Sequence, residues 1–285
     1  MMKTLRMLTA ACAISIFALG AVQPHAQPAQ AGKATTTAPD YVPQSGQAGK
    51  DVVWVPTQDA LVQRMLDMAK VTKDDKLVDL GSGDGRTVIA AAKRGLTARG
   101  IEYNPDLVTL SRRNAEAEGV ADKVRFDQGD IFVSDFSEAT VVTLFLLPEL
   151  NLRLRPTLLD MKPGTRVVSN SFTMDEWTPD ETAVLAENCV NFCRAHFWIV
   201  PAKVAGTWRL GDGDLRLTQS FQMLEGTLTR GGKAVPISEA KMQGSQISFM
   251  ADGRRYTGTV TEGRMTGRHE AGGQSQDWQA TRSSS

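Results

Sequence analysis

The chain has 285 residues, 41% hydrophobic and 22% charged, with 32 basic and 32 acidic side chains. That balance excludes a nucleic-acid binder working through a phosphate-matching field, and it leaves no polybasic footprint for an anionic membrane surface. Only Lys3 and Arg6 carry charge within residues 1–31, so the remainder stands at −2, and 25 Gly with 12 Pro are too few for a collagenous or wholly disordered chain.

Residues 1–31 open on Lys3 and Arg6, continue as an apolar run over 8–22, and end on Ala29-Gln30-Ala31, a small-x-small cleavage pattern. A run of this length falls short of the roughly 20 residues a membrane span requires. It predicts a secretory signal peptide, hence a periplasmic or secreted protein with no stable membrane span after leader cleavage; an uncleaved anchor is the other reading. Residues 32–51, rich in Gly, Ala, Thr, Gln and Pro, read as a flexible linker.

Residues 52–202 form the next unit. Thr57 is placed to cap a helix whose apolar positions are Leu61, Val62, Met65, Leu66 and Ala69. Short apolar strands then alternate with helices: strands over 77–80, 98–102, 123–126, 140–147 and 165–171, and helices after Gly85 and after Asn104-Pro105. Such alternation predicts a parallel sheet with helices on both faces, and Pro156 is expected to split or kink the helix between the fourth and fifth strands. Cys189 and Cys193 flank the tip of a hairpin between 183–187 and 196–200. A disulfide and two free thiols both fit them, whereas the pair with only His196 and His269 does not make a zinc set, so no metal is expected.

Residues 203–285 change in texture, since 13 of the 25 glycines lie in 201–285 among alternating polar and apolar stretches. Six to eight short antiparallel strands are expected, as a small sandwich or a lipocalin-like barrel, with Gly206-Thr207-Trp208 at its start.

The chemistry concentrates at Asp79-Leu80-Gly81-Ser82-Gly83-Asp84-Gly85-Arg86, which follows a strand and opens a helix. Glycines there let the backbone press against a ligand at the carboxyl end of the sheet. The spacing is G-x-G-x-G with Arg86 where a dinucleotide fingerprint needs its third glycine, which favours a nucleoside cofactor over a pyrophosphate and speaks against an oxidoreductase. Glu102 closes the second strand, where a carboxylate can accept both hydroxyls of a ribose.

This run, with Val55-Pro56-Thr57, Gly100-Ile101-Glu102-Tyr103-Asn104-Pro105 and Arg166-Val167-Val168-Ser169, resembles class I S-adenosylmethionine-dependent methyltransferases over about residues 52–202. In detail it is similar to bacterial relatives of the mitochondrial lysine methyltransferases that act on ATP synthase and on the adenine nucleotide translocase. The resemblance implies a Rossmann-like α/β domain, S-adenosyl-L-methionine as cofactor, and N-methylation of a protein lysine or other amine. By the same resemblance Asp79 orients the turn and the methionine amino group, and Gly81, Ser82, Gly83 and Gly85 admit methionine and ribose. Glu102 holds the ribose, Asp130 accepts from the adenine amino group, and Ile131 packs on the ring. Asp127 reads as a solvated loop acid and Asn104 as a helix cap.

No catalytic residue is assigned. Glu149 after Pro148 either meets the substrate ammonium or is an acid favoured at a helix start. Trp54 and Thr57 flank the methyl channel by analogy, and Trp54 and Trp177 serve equally as packing anchors. The predicted partner is a protein or small amine substrate, with no nucleic acid. The alternative function is an exported, non-catalytic methyltransferase-like binding protein.

Overall fold

The computed structural model describes residues 41–187, 189–211 and 213–283. The leader predicted over 1–31 lies outside the described residues, as does the linker up to residue 40.

A first helix, α1 (Asp59–Met68), precedes a seven-stranded sheet. The sheet is built from β1 (Lys76–Leu80), β2 (Thr97–Glu102), β3 (Val124–Gln128), β4 (Val141–Leu144), β5 (Arg166–Asn170), β6 (Glu181–Val184) and β7 (Arg194–Ile199). Helices α2 (Arg86–Lys93), α3 (Pro105–Ala117) and α4 (Pro148–Leu159) connect the strands. The spatial order is β3-β2-β1-β4-β5-β7-β6. β1 to β5 run parallel, but β7 is antiparallel to both β5 and β6, so the sheet is mixed rather than purely parallel. The cause is the short β6–β7 hairpin, which leaves no room for the crossover that a parallel return needs.

Local sequence explains most element ends. Leu61, Val62, Met65, Leu66 and Met68 form the buried stripe of α1, each worth roughly 2 kcal/mol of apolar burial. That helix starts one residue later than expected: Gln58 is the N-cap and makes no side-chain cap, because Thr57 Oγ1 is engaged by Asn170 Nδ2 at 3.2 Å. Asn104 caps α3 by accepting from the Asp106 amide at 2.9 Å, with Pro105 in the first turn. Pro156 does not split α4, which runs unbroken to Leu159. It stands in the last turn, where few hydrogen bonds depend on it. The fourth strand ends at Leu144 instead of 147 because Pro148 already opens α4.

One core lies between the sheet and α1, α2 and α3, with Leu61, Leu66, Leu77, Val88 and Leu96 fully buried. The opposite core joins α4 to Phe136, Trp177 and Trp198. Trp177, for which the sequence allows either an anchor or a channel role, is completely buried and packs against Trp198 at 5.9 Å between ring centroids.

Nine more strands follow: β8 (Gly206–Leu210), β9 (Gly213–Ser220), β10 (Met223–Arg230), β11 (Lys233–Pro236), β12 (Ser238–Gln243), β13 (Gln246–Ala251), β14 (Arg254–Thr261), β15 (Arg264–Ala271) and β16 (Gln274–Arg282). β16 pairs with β8, β8 with β9, β9 with β10, and β10 meets β12, so eight strands close a barrel and β11 hangs on the second half of β10. Of the two architectures expected, the closed barrel is the observed one. Its interior is filled by Trp208, Leu215, Phe249, Tyr256 and Met265, with the Phe249 and Tyr256 rings stacked at 4.6 Å.

The barrel docks on the sheet domain. Phe221 stacks on Trp177 at 6.2 Å, the Gln222 side chain donates to Thr178 O at 2.8 Å, and the Ala202 amide donates to Gly244 O at 2.8 Å.

Candidate active site

The carboxyl ends of β1, β2 and β4 open into a cleft of about 1030 Å³ including its mouth, where open α/β sheets place ligands. Asp79, Gly81, Ser82, Gly83, Glu102, Asp130 and Ile131 all line it. Of the expected site residues only Gly85 does not. It caps α2 at φ 83°, and a Cβ there would stand 2.8 Å from Phe126 Cζ and 2.9 Å from Ser111 Cβ. Gly85 is therefore required by helix packing instead of by a ligand.

The turn after β1 is held from below. The Gly81 and Ser82 amides both donate to Ile101 O, at 2.8 and 3.1 Å, and Ser111 Oγ donates to Gly83 O at 2.9 Å. Glu102 Oε2 accepts from the Gly83 amide at 2.9 Å, and Oε1 from the Asn104 amide at 2.9 Å. This carboxylate thus fixes the turn while its remaining lone pairs stay directed to the cleft. Gly83 has φ +55°, and a Cβ on it would meet Trp54 Nε1 at 2.5 Å, so the indole of Trp54 lies directly over the turn.

Asp79 is buried, and its carboxyl is pushed up to about 7 by burial, with the Glu102 and Asp84 charges adding to the rise and a Thr143 hydroxyl at 2.6 Å opposing it. A buried acid among other acids calls for a cation beside it. Asp84 is turned to Arg86 in a two-pronged ion pair, and Arg86 Nη1 reaches Thr57 O at 3.0 Å. The arginine that replaces the third fingerprint glycine therefore ties the turn to the Val55-Pro56-Thr57 element.

At the far end Asp130 Oδ2 accepts from Lys50 Nζ at 2.7 Å and Oδ1 from the Phe132 amide at 2.9 Å, which hold the carboxyl below its usual range. The Lys50 ammonium also stands 4.9 Å from the Tyr103 ring centroid. Residues 41–51, which by composition belong to a linker, supply this wall: Gly46 and Trp54 are joined by a 2.8 Å backbone bond, and 47–51 line the cleft. Lys50 and Tyr103 escape a reading of the sequence because a lone lysine in a polar stretch carries no periodic signal. Asp127 is not a solvated acid either, since Arg99 and Arg125 clasp it at 2.6 and 2.7 Å. Glu149 is exposed, lies outside the cleft lining, and serves as an acid in the first turn of α4.

Residues 79–181 match the family described as the ANTKMT methyltransferase domain. A protein-lysine N-methyltransferase of Saccharolobus islandicus (strain REY15A) is 43% identical over 143 residues, covering 49% of this chain and 89% of that one. The chain belongs to the ANTKMT methyltransferase family. Among its relatives, an ATP synthase lysine N-methyltransferase of Homo sapiens is 39% identical over 128 residues, covering 45% of this chain and 54% of that protein. An RNA methyltransferase from Salinibacter ruber, solved with S-adenosyl-L-homocysteine, shares 50% identity at a TM-score of 0.50, covering 53% of this chain and 96% of that one. This ANTKMT-family protein is an S-adenosyl-L-methionine-dependent methyltransferase. The barrel after residue 203 lies beyond the family match.

Proposed function

We propose that the protein methylates the side-chain amine of protein lysines, and does so outside the cytoplasm. The observation that carries the lysine reading is the 43% identity to a protein-lysine N-methyltransferase along 89% of that enzyme. The Salinibacter relative is an RNA methyltransferase, but the balanced charge of this chain supplies no phosphate-matching field.

The cleft suits the cofactor on its own chemistry. Bound S-adenosyl-L-methionine supplies a methyl group on a sulfonium sulfur, ready for displacement. Asp79, buried and short of a cation, would hold the ammonium of its amino-acid part; Glu102 would hold the ribose diol; Asp130 and Ile131 would hold the adenine. The Gly81 to Gly83 backbone lies bare along the floor, and Ser82 Oγ is buried without a partner. These residues bind and orient. Charge disperses in the displacement instead of building up, so alignment supplies the acceleration, with effective molarities on the order of 10⁵ M. An acceptor arriving as a neutral amine needs no dedicated base.

The extracytoplasmic reading rests on the pattern of residues 1–31 and is supported by the Cys189–Cys193 disulfide, a bond that persists in oxidising compartments. No helix among the described residues is long and apolar enough to cross a membrane.

The test is transfer of labelled methyl from S-adenosyl-L-methionine by the purified protein to envelope proteins and, separately, to total RNA. Methyllysine in the protein hydrolysate is the expected result; label confined to RNA, or no label, refutes the lysine reading. For the location, residues 1–40 fused to a phosphatase active only outside the cytoplasm should give activity, and an inactive, cytoplasmic fusion would overturn it.

A further inference from the structure

Three phenylalanines from separate parts of the chain meet at the rim of the cleft. Phe145 follows β4, Phe172 follows β5, and Phe192 sits in the Cys189–Cys193 loop between β6 and β7. Phe145 and Phe192 meet edge-on at 5.1 Å, and Phe172 completes the group at 6.3 and 6.2 Å from them. Phe145 also lines the cofactor cleft, so the cluster continues that cleft outward.

The cluster is not core. Phe192 is 43% exposed and Phe145 and Phe172 are half-buried, leaving apolar ring surface open beside a cleft. Nor is Phe192 placed cheaply: its backbone has φ +56°, a left-handed conformation that bulky residues avoid. Such a conformation persists where the surroundings over-determine it. Here the disulfide closes the loop on both sides of Phe192, and the Gln58 side chain donates to Asn191 O at 3.4 Å, tying the loop to the start of α1 next to Thr57.

We infer that Phe145, Phe172 and Phe192 form the slot that receives the acceptor's lysine side chain, and that the Cys189–Cys193 disulfide positions Phe192 in it. This rests on the lysine reading above. Four methylenes match an apolar wall, aromatic faces attract an arriving ammonium, and loss of water around the nitrogen favours its neutral form. The amine gives its proton to solvent; its lone pair bonds to the methyl carbon as the carbon–sulfur bond breaks. Sulfur keeps that electron pair, leaving a neutral thioether and a methylated ammonium. Phe192 touches the acceptor, whereas the two cysteines act only by holding it.

The probe is n-butylamine, a bare lysine side chain, titrated by saturation-transfer NMR into the protein saturated with S-adenosyl-L-homocysteine. Phe192→Ala, Phe192→Leu and a Cys189→Ser/Cys193→Ser double variant are compared with wild type, and homocysteine-cofactor affinity is measured on each by calorimetry. Cofactor affinity should stay within about twofold throughout, which also shows that each variant folds. Butylamine affinity should fall about tenfold in Phe192→Ala and in the double variant, and less in Phe192→Leu, as expected for removing one buried ring face. A wild-type complex that binds no butylamine, or Phe192→Ala binding it as wild type does, overturns the slot. A double variant indistinguishable from wild type overturns the role of the disulfide. Butylamine binding without any methyllysine in labelled proteins leaves the slot standing and removes the lysine reading.

Discussion

The acid beneath the glycine turn gives the sharpest prediction. Asp79 sits at about 7 in the folded protein against 3.8 as its ordinary value. Because the folded value is the higher one, the folded chain holds this proton where the unfolded chain has lost it. The associated stability is complete below pH 3.8 and drains away as pH rises through about 7. At roughly 1.4 kcal/mol per pH unit, raising the pH from 5 to 8 should cost the cofactor-free protein about 3 kcal/mol through Asp79 alone. An Asp79→Asn variant has no such proton, so its stability relative to wild type should improve by about that amount between pH 5 and pH 8. Urea unfolding of both proteins at the two pH values reads this double difference, in which all other titrating groups cancel. Cofactor should reverse the picture in the wild type: an ammonium beside the carboxylate favours its charged form, so binding at pH 6 should release close to one proton, and at pH 8 close to none. Calorimetry in buffers of different ionisation enthalpy counts those protons. An unchanged stability difference at the two pH values, together with no proton release at pH 6, would refute the account of Asp79.

Glu102→Ala removes the acceptor of the Gly83 and Asn104 amides and should weaken homocysteine-cofactor binding by about 30-fold or more, as loss of a charge-assisted bond implies; calorimetry measures it. Gly83→Ala and Gly85→Ala should fail differently. The first places a methyl 2.5 Å from Trp54 Nε1 and should cost cofactor affinity with little change in melting temperature. The second places one against Phe126 and Ser111 and should cost about 2 kcal/mol of stability or more, with affinity of the folded fraction retained. Asp75 is held below its ordinary value, against the cost of its burial, by hydrogen bonds from Thr140, Thr72 and Arg166. Its stabilisation is therefore present above about pH 4 and lost on acidification, so Arg166→Met should destabilise the protein at pH 7 more than at pH 3 in urea titrations.

The sequence was most informative where chemistry and chain direction coincide. The run from Asp79 to Arg86 and the terminal Glu102 announced a strand, a turn, a helix and a ligand in consecutive residues, and the cleft stands there. Gly85 shows the limit, since a glycine needed for ligand approach and one needed for Phe126 to pack look alike in a string of letters. Residues 41–51 and the Phe145, Phe172 and Phe192 cluster were invisible for another reason. Their positions are set by contacts across 80 or more residues, as in the Lys50–Asp130 pair, or by three strand ends meeting in space. The antiparallel β7 was hidden because a hairpin and a crossover differ in connection length more than in strand composition. Barrel closure was likewise hidden, because it depends on the meeting of β16 with β8, which are far apart in the chain.

That closure bears on how the protein meets other proteins. A ring of paired strands offers no row of free amides and carbonyls, so an extended segment of another chain cannot zip onto the barrel as one more strand. The loose strand, β11, is four residues long, begins at Lys233 and stops at Pro236, a charge and a missing donor that both discourage pairing. Any partner of the barrel must therefore be chosen by side chains rather than by backbone, and its affinity should respond to single surface substitutions.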